Sequence, residues 1–458
     1  MQRFSLWLPC GLLIYFLISI WLFNKVYHTT KLVVDEEFHL RQGLHYCDGN
    51  FTVWDPKITT FPGLYIVSTV LLLPFRLCEI YYLRLVSLLA SVLNVYWIYE
   101  IRKGIYSRKY GKKFPSWLTV FEALSISILP PMYFFAFLYY TDIVSISAVL
   151  AMMNFSMKHS HRAAALSGFV ALLMRQTNIV WIGAVFGLNV MDKLVIKTLK
   201  KRDKKNSNYI YTFGDILAAI DFYLRRITSV HITILPVIAQ FYGYVVVMVA
   251  FIVFLWLNGS IVVGDKSAHE ATLHLPQIGY FSVFTVVFGG GLILADIRDI
   301  FQKFIKRWYF LLFLSIFFTI AVTYNTIVHP YILADNRHYT FYLWNRLLSK
   351  PLIRFMAIPI YVFAVAGVAE LLKTQSAGFK LIYSVCTIVS IFLQSMIEFR
   401  YFLLPFLILR LFYTKPLSIN SIGVEFAFNI AVNIAAFNVF FTKTFYWSDY
   451  SEPQRIMW

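Results

Sequence analysis

The chain is a succession of apolar runs about as long as a membrane crossing, and that pattern constrains its fold more than any motif does. The first run, Leu6 to Val26, is mostly apolar over ~20 residues, enough for a helix to cross the hydrocarbon layer. It has no small-residue cleavage site behind it and reads as an uncleaved anchor. Further apolar runs bring the expected total to roughly 11 to 13 spans at ~20 residues each. Composition agrees. Hydrophobic residues make up 59% and charged residues 14%, where a soluble globule is nearer half apolar and a quarter charged. Forty-four Phe, thirty Tyr and eleven Trp are more apolar surface than one water-soluble core could hide. The expectation is an all-α polytopic membrane protein forming a single integral membrane domain over 1–458. Disorder, a coiled coil and a disulfide scaffold are excluded.

Charge sets the topology. Lys and Arg number 41 against 23 Asp and Glu, a formal +18. In a membrane protein such an excess belongs in cytoplasmic loops, and no nucleic-acid motif interleaves these charges. Three basic clusters stand out: Arg102 to Lys113, Lys193 to Lys205, and Arg298 to Arg307. The positive-inside rule assigns these clusters to the cytoplasm. It assigns the acidic stretch 28–60, with Asp35, Glu36, Glu37, Asp48 and Asp55, to the other side. Parity then constrains residues 61–77. If this run and 83–101 both crossed, the first basic cluster would land on the wrong side. The run is short, begins at Pro62 and is broken by Pro74 and Arg76, so it reads as a re-entrant or interfacial helix. Residues 28–82 thus form a first non-cytoplasmic loop, and 193–230 a cytoplasmic one with an amphipathic stretch at Gly214–Arg226. Later crossings are expected at 116–136, 143–157, 163–174, 178–192, 232–257, 278–295 and 308–327. Four more apolar runs follow after 351, and the side of the C-terminus stays open.

Polar clusters punctuate this apolar chain. They are Asp35-Glu36-Glu37-Phe38-His39, Tyr139-Tyr140-Thr141-Asp142, Arg175-Gln176-Thr177-Asn178, Gly264-Asp265-Lys266-Ser267-Ala268-His269, and Asp335-Asn336-Arg337-His338-Tyr339. Glu398-Phe399-Arg400-Tyr401 joins them. Ionisable groups near a bilayer are costly and mark function by default; the plainer alternative is that each cluster solvates a loop. A carboxylate after the first span suits a general base, and Asp35 and His39 share a helix face at i,i+4. Arg175, Lys266, Arg337 and Arg400 suit a phosphate; equally, each could pair with a loop carboxylate. The interrupted helices around Arg175 to Asn178 resemble the broken helices that bring polar groups to a membrane site. A transporter or channel with a polar face is the competing class, but repeated halves and a filter segment are not evident.

Several motifs are incomplete. His269 and His274 are five residues apart, not four, so they do not form a zincin pair. Gly289-Gly290-Gly291 lacks the Lys of a phosphate loop and reads as helix packing or a kink. Cys47 and Cys78 share the non-cytoplasmic loop and are candidates to pair if that side is oxidising. Asn50-Phe51-Thr52 and Asn258-Gly259-Ser260 are glycosylation sequons.

The run Asp35-Glu36-Glu37-Phe38-His39, through Tyr46-Cys47-Asp48-Gly49 to Trp54-Asp55-Pro56-Lys57 and Phe61-Pro62-Gly63-Leu64-Tyr65, closely resembles one family. It is the dolichyl-phosphate-glucose-dependent α-1,2-glucosyltransferases of the endoplasmic reticulum. The resemblance continues through Tyr140-Thr141-Asp142, Arg175-Gln176-Thr177-Asn178, Gly264-Asp265-Lys266-Ser267, Asp335-Asn336-Arg337-His338-Tyr339 and Glu398-Phe399-Arg400-Tyr401, nearly the whole chain. Glu37 departs from it, standing where an apolar residue is expected. The resemblance implies a GT-C-type glycosyltransferase in the endoplasmic reticulum membrane, multi-pass, with a lumenal active site. It implies dolichyl phosphate glucose as donor and diglucosylated Man9GlcNAc2 on dolichyl diphosphate as acceptor, joined with inversion. Asp35 or Glu36 is then the catalytic acid of the first loop, with Glu37 a further possibility. His39, Asp142, Arg175, Gln176, Asn178, Lys266, His269, Asn336, Arg337, His338 and Arg400 are the expected substrate-binding residues. No metal and no cofactor beyond the donor are demanded, because the donor carries a single phosphate and no DxD-type pair is present.

Overall fold

A computed structural model describes residues 6–111, 114–201, 210–226, 230–266, 272–448, 450 and 452–458. His269 and the basic residues Lys112, Lys113, Arg202, Lys204 and Lys205 lie outside the described residues. With no water to bond a free backbone, the apolar runs close their hydrogen bonds internally as helices. In chain order these are α1 (Trp7–Thr29), α2 (Glu36–Cys47), α3 (Gly63–Leu72), α4 (Ile80–Tyr110), α5 (Ser116–Ser127), α6 (Pro130–Phe135), α7 (Thr141–Met157) and α8 (His161–Met174). Next come α9 (Ile179–Lys201), α10 (Phe213–Leu224), α11 (Val230–Thr233), α12 (Leu235–Ala239), α13 (Tyr242–Asn258), α14 (Gln277–Phe288), α15 (Gly290–Lys306) and α16 (Trp308–Tyr324). The last are α17 (Pro330–Ala334), α18 (Tyr339–Leu343), α19 (Pro351–Met356), α20 (Ile358–Leu371), α21 (Ala377–Phe392), α22 (Phe399–Phe412) and α23 (Ile419–Thr442). A two-stranded antiparallel ribbon, β1 (Thr444–Phe445) and β2 (Gln454–Arg455), follows. Among the described residues, five helical segments are long and apolar enough to cross a membrane alone, and one bent pair makes a sixth. The chain is an all-α multi-pass membrane protein.

Helix lengths bear on the parity argument. At 1.5 Å per residue, the ten residues of α3 reach about 15 Å, half a bilayer core. The chain then turns back through Leu73–Phe75 and Arg76, and a disulfide joins Cys78 to Cys47 at the end of α2, Cα to Cα 5.9 Å. Both ends of 61–77 therefore stay beside α2. The 31-residue α4 crosses in one piece, and its far end lies against the far end of α7, where Lys158 pairs with Glu100 at 2.7 Å.

Several boundaries differ from the sequence reading, among them the expected crossing 232–257, which is divided into α12 and α13. The run 116–136 is interrupted at Leu129, which is extended ahead of Pro130, so α5 and α6 are separate. The run 278–295 bends by 103° at Gly289. A Cβ on Gly291 would meet the Ser421 carbonyl oxygen at 2.4 Å, so this glycine lets α15 press onto α23. The third basic cluster is therefore largely helical, on α15, rather than a loop. Arg102, expected in a cytoplasmic loop, is a fully buried residue of α4.

The C-terminal ribbon settles a side left open by hydropathy. Arg455 donates to the carbonyls of Phe440 and Phe441 at 2.8 and 3.0 Å and to that of Thr29 at 3.4 Å. Thr29 ends α1, just ahead of Asp35, so the ribbon strands β1 and β2 share the Asp35 side. Arg337 lies there too, because its guanidinium donates to Gln454 at 3.2 Å.

Candidate active site

Between α1 and α2 the chain makes a tight turn built around Arg84. This arginine is fully buried on α4, and its guanidinium donates to the carbonyls of Thr30 and Lys31 at 3.2 and 2.9 Å. Tyr140 donates to the Val33 carbonyl at 3.0 Å. Held from both sides, Val34 takes φ 50°, a left-handed conformation that a β-branched residue adopts only under constraint. The strained residue immediately precedes three consecutive acids with three different environments.

Glu36 is buried with no exposed surface. It accepts from Arg84 Nε and Nη2 at 2.8 and 2.6 Å and from the Tyr139 backbone N–H at 2.7 Å. Its carboxylate is committed to the fold, with no face open to a substrate, which corrects its expected place beside Asp35 as a reacting acid. Glu37 lies at the surface, bonded to Arg41 at 2.5 Å one helical turn on. Asp35 is exposed at the start of α2, and among the described residues its carboxylate has no hydrogen-bond or ion-pair partner.

The groups gathered around His39, Asp35 among them, come from five elements. His39, one turn along α2, shares a 2.6 Å hydrogen bond with Tyr65 of α3 and packs against Tyr140, ring centroids 5.5 Å apart. Burial pushes the His39 imidazole down to about 4, while Asp35 and Asp142 pull it up and Arg400 and Arg175 push it down. It is therefore neutral at pH 7. Asp142, in the first turn of α7, is buried and accepts from Arg175; Arg400 Nη1 lies 3.6 Å from its other oxygen. Arg400 also pairs with Glu398 and lies over the rings of Phe135 and Tyr140 at 5.1 and 5.4 Å. Asp142, Arg175, Asn178, Trp181, Arg400 and Tyr401 line one cavity. The Arg175 guanidinium has five N–H donors and, among the described residues, makes one hydrogen bond, to Asp142, so donors remain for an anion. The short pair of helices expected here is present: α8 ends at Met174, a single 3-10 turn covers Gln176–Asn178, and α9 begins at Ile179.

Other expected site residues do different work. Asn178 donates to Ser145 and to the Ala171 carbonyl, both at 2.7 Å, fixing the break between α8 and α9 while lining the cavity. Gln176 donates to the Thr59 carbonyl at 2.9 Å. The segment 263–265 binds the same strip, with Val263 N–H to Thr59 at 3.2 Å and Asp265 N–H to Pro56 at 2.8 Å. Only glycine fits at 264, where a Cβ would meet the Pro56 carbonyl at 2.4 Å and φ is 68°. Lys266 is exposed on this rim and donates to the Asn258 carbonyl at 2.6 Å.

Arg337 stands apart from the cavity. It forks onto Asp335 at 2.8 and 2.7 Å and lies 4.3 Å from the Trp447 ring centre. Burial pushes the Asp335 carboxyl up, but its bonds with Arg337 outweigh this and hold it below its usual range. Asn336 accepts from the Trp447 indole at 3.0 Å, and His338 lies 3.2 Å from the Trp458 carbonyl. These three residues hold the C-terminal segment, which reaches the site indirectly: Trp458 packs edge-on against Phe399, the neighbour of Arg400.

Sequence reasoning missed Arg84, Tyr65 and Trp181. Arg84 had a usable signal, a lone arginine at the start of an otherwise apolar run, where an unpaired charge is not tolerated.

Three comparisons bear on this site. The family model described as DIE2/ALG10 family matches residues 29–411. The protein named Dol-P-Glc:Glc(2)Man(9)GlcNAc(2)-PP-Dol alpha-1,2-glucosyltransferase in Drosophila melanogaster is 39% identical over 456 residues, 98% of each chain. Its namesake in Rattus norvegicus is 35% identical over 466 residues, 97% of each chain. Among solved structures, the apo oligosaccharyltransferase of Archaeoglobus fulgidus is similar over 93% of this chain and 56% of its own, at 12% identity and TM-score 0.37.

Proposed function

We propose, because the chain belongs to the DIE2/ALG10 family, that it catalyses the glucosyl transfer for which its relatives are named. The donor is dolichyl phosphate glucose and the acceptor is the diglucosylated Man9GlcNAc2 glycan on dolichyl diphosphate. The product is an α-1,2-glucosidic bond. The transporter or channel alternative finds no support among these relatives. In our reading the enzyme is of GT-C type and lies in the endoplasmic reticulum membrane, with the Asp35 side facing the lumen. The Cys47–Cys78 disulfide supports an oxidising compartment on that side.

The observation that carries the mechanism is the contrast among the three acids. Of the three, Asp35 alone is both exposed and, among the described residues, unpartnered, and one turn along its helix stands a neutral His39 that Arg175 and Arg400 also approach. In our reading Asp35 takes the proton from the 2-hydroxyl of the acceptor's terminal glucose as that oxygen attacks C1 of the donor. The donor's C1–O bond to phosphate breaks on the opposite face, so a β-linked glucose becomes α-linked. A phosphate leaving group needs no protonated acid, only cations fixed where its charge develops. Arg175 and Arg400 face the cavity and fit that part. Arg337 is already forked onto Asp335, and Lys266 sits at the rim. His39, neutral and bonded to Tyr65, would orient the acceptor as a hydrogen-bonding group. No metal or cofactor is part of this scheme.

The test is transfer by the purified protein from dolichyl phosphate glucose to lipid-linked acceptors bearing one, two or three glucoses, with linkage analysis of the product. Addition of one α-1,2-linked glucose to the diglucosylated acceptor alone is expected. No transfer, or a different linkage, would overturn the reading.

A further inference from the structure

The chain contains three Asn-X-Ser/Thr sequons, at Asn50, Asn154 and Asn258. A sequon is modified only where its asparagine amide can reach a transferase active site in the lumen, so each can be judged from its position. Asn154 is buried within α7, where no transferase could reach its amide. Asn258 is the last residue of α13, and its amide nitrogen donates to the carbonyls of Ser260 and Val262, both at 2.8 Å. It sits at the edge of a helix that enters the bilayer, with its nucleophilic nitrogen occupied.

Asn50 differs in each respect. It lies twenty-one residues beyond Thr29, the end of α1, and at roughly 3.3 Å per extended residue the nascent segment can extend well clear of the bilayer. In the folded chain, residues 48–53 form an exposed loop past the end of α2. Among the described residues, neither the Asn50 amide nor the Thr52 hydroxyl has a side-chain hydrogen bond. The twelve residues of α2 separate this loop from Asp35, about 18 Å along the helix axis. A bulky glycan there would leave the cavity entrance clear. The loop is also on the disulfide's side of the protein, three residues from Cys47.

We infer that Asn50 is an N-glycosylation site of this protein, and that Asn154 and Asn258 are not. The inference rests on the reading that the Asp35 side is lumenal. The Asn50 amide nitrogen bonds to C1 of an oligosaccharide carried on a lipid diphosphate. The C1–O bond to that diphosphate breaks, the amide loses one proton, and the lipid diphosphate leaves as an anion.

The experiment uses the full chain expressed in cells that N-glycosylate. Endoglycosidase treatment is expected to increase gel mobility by one glycan's step. Asn50→Gln and Thr52→Ala are expected to run at the deglycosylated position without treatment, Thr52→Ser to keep the glycan, and Asn258→Gln to behave as the parent. A parent chain that does not shift, or a shift that persists in Asn50→Gln, overturns the inference. Labelling Val53→Cys with a membrane-impermeant thiol reagent in sealed microsomes distinguishes the causes of failure. Protection with no glycan sinks the Asn50 site alone, whereas labelling shows the loop to be cytoplasmic and sinks the lumenal reading as well.

Discussion

The protein holds two buried ionic clusters at opposite ends of its helices. Towards the end that carries the basic clusters, Arg102, Glu122, Arg410 and Glu425 have no exposed side-chain surface beyond about 1%. Arg410 bridges Glu122 at 2.7 Å and Glu425 at 2.9 Å, and Arg102 meets Glu122 at 3.0 Å. Arg102 also donates to the carbonyls of Leu411 and Tyr413, both at 2.6 Å. Two cations and two anions close on each other and tie α4, α5, α22 and α23 together. At the other end, Asp142, Arg175, Arg400 and Glu398 are ion-paired, and Asp142, Arg175 and Arg400 line a cavity. Asp35 lies beside His39, which these charges also reach, and has no partner of its own among the described residues. Similar side chains thus do opposite work. The first cluster is shut off from any cavity and spends its charge on the fold, even though Arg102 Nε is left without a partner; the second opens on a cavity, which in our reading keeps charge available for a substrate. The comparison also places Glu36 with Arg84 in the first class, although it is adjacent to Asp35 in sequence.

The sharpest test acts on the open cluster. Asp35→Asn keeps size and polarity but removes the base, and transfer is expected to fall by about 10²- to 10⁴-fold with an unchanged melting temperature. Glu36→Gln is expected to do the reverse, lowering stability while any folded protein still transfers glucose; equal losses of rate in folded protein would erase the distinction. In the closed cluster, Arg410→Ala strands the buried Glu425 and leaves Glu122 to Arg102 alone, and should cost about 3–5 kcal/mol, read as a lower melting temperature in detergent. If it instead left stability intact and abolished transfer, the two clusters would not be separable by role.

The helices and the polar islands were legible in the sequence, whereas the division into closed and open clusters was not, for a physical cause. Positive-inside parity anticipated that residues 61–77 turn back, because a misplaced basic loop costs more than a re-entrant helix. The polar island at Arg175 to Asn178 anticipated the break between α8 and α9. Partnerships were not legible, because Arg410 meets Glu122 from 288 residues away, and Arg84 meets Glu36 from 48. An arginine in an apolar run therefore announces that it is paired without saying whether its partner is a substrate. Arg337 shows the limit well. Its polarity and setting suited phosphate binding, yet Asp335, two residues away, takes its fork. The side of the C-terminus depended on Arg455 reaching Thr29, a contact hydropathy cannot express.

A smaller effect tests whether spare donors matter. Arg175→Lys keeps the charge at Asp142 but loses the planar fork. Losing one charge-assisted bond of about 1.5–3 kcal/mol predicts a roughly tenfold to hundredfold drop in kcat/KM for the donor. Little change in melting temperature is expected, since Asp142 keeps a cation on each side.

The smallest effect concerns His39, whose charge decides whether the Asp35 cluster is open at all. It is faced by Asp35 from its own helix, Tyr65 from α3, Tyr140 and Asp142 at the start of α7, Arg175 between α8 and α9, and Arg400 from α22. Burial holds its pKa at about 4, whereas in the unfolded chain it titrates near 6.5. Between those values the unfolded chain binds a proton that the folded chain refuses, so stability falls as pH drops from about 6.5 towards 4 and is unaffected above 6.5. His39→Gln, which can still bond the Tyr65 hydroxyl, should flatten this slope when melting temperatures are compared at pH 7.5, 6 and 5. Were the imidazole instead charged and paired with Asp35, its pKa would lie above 6.5, and the parent would gain stability as pH falls towards 6.5 and lose none below it. Asp35 would then be occupied as Glu36 is, and the open cluster would be a second closed one.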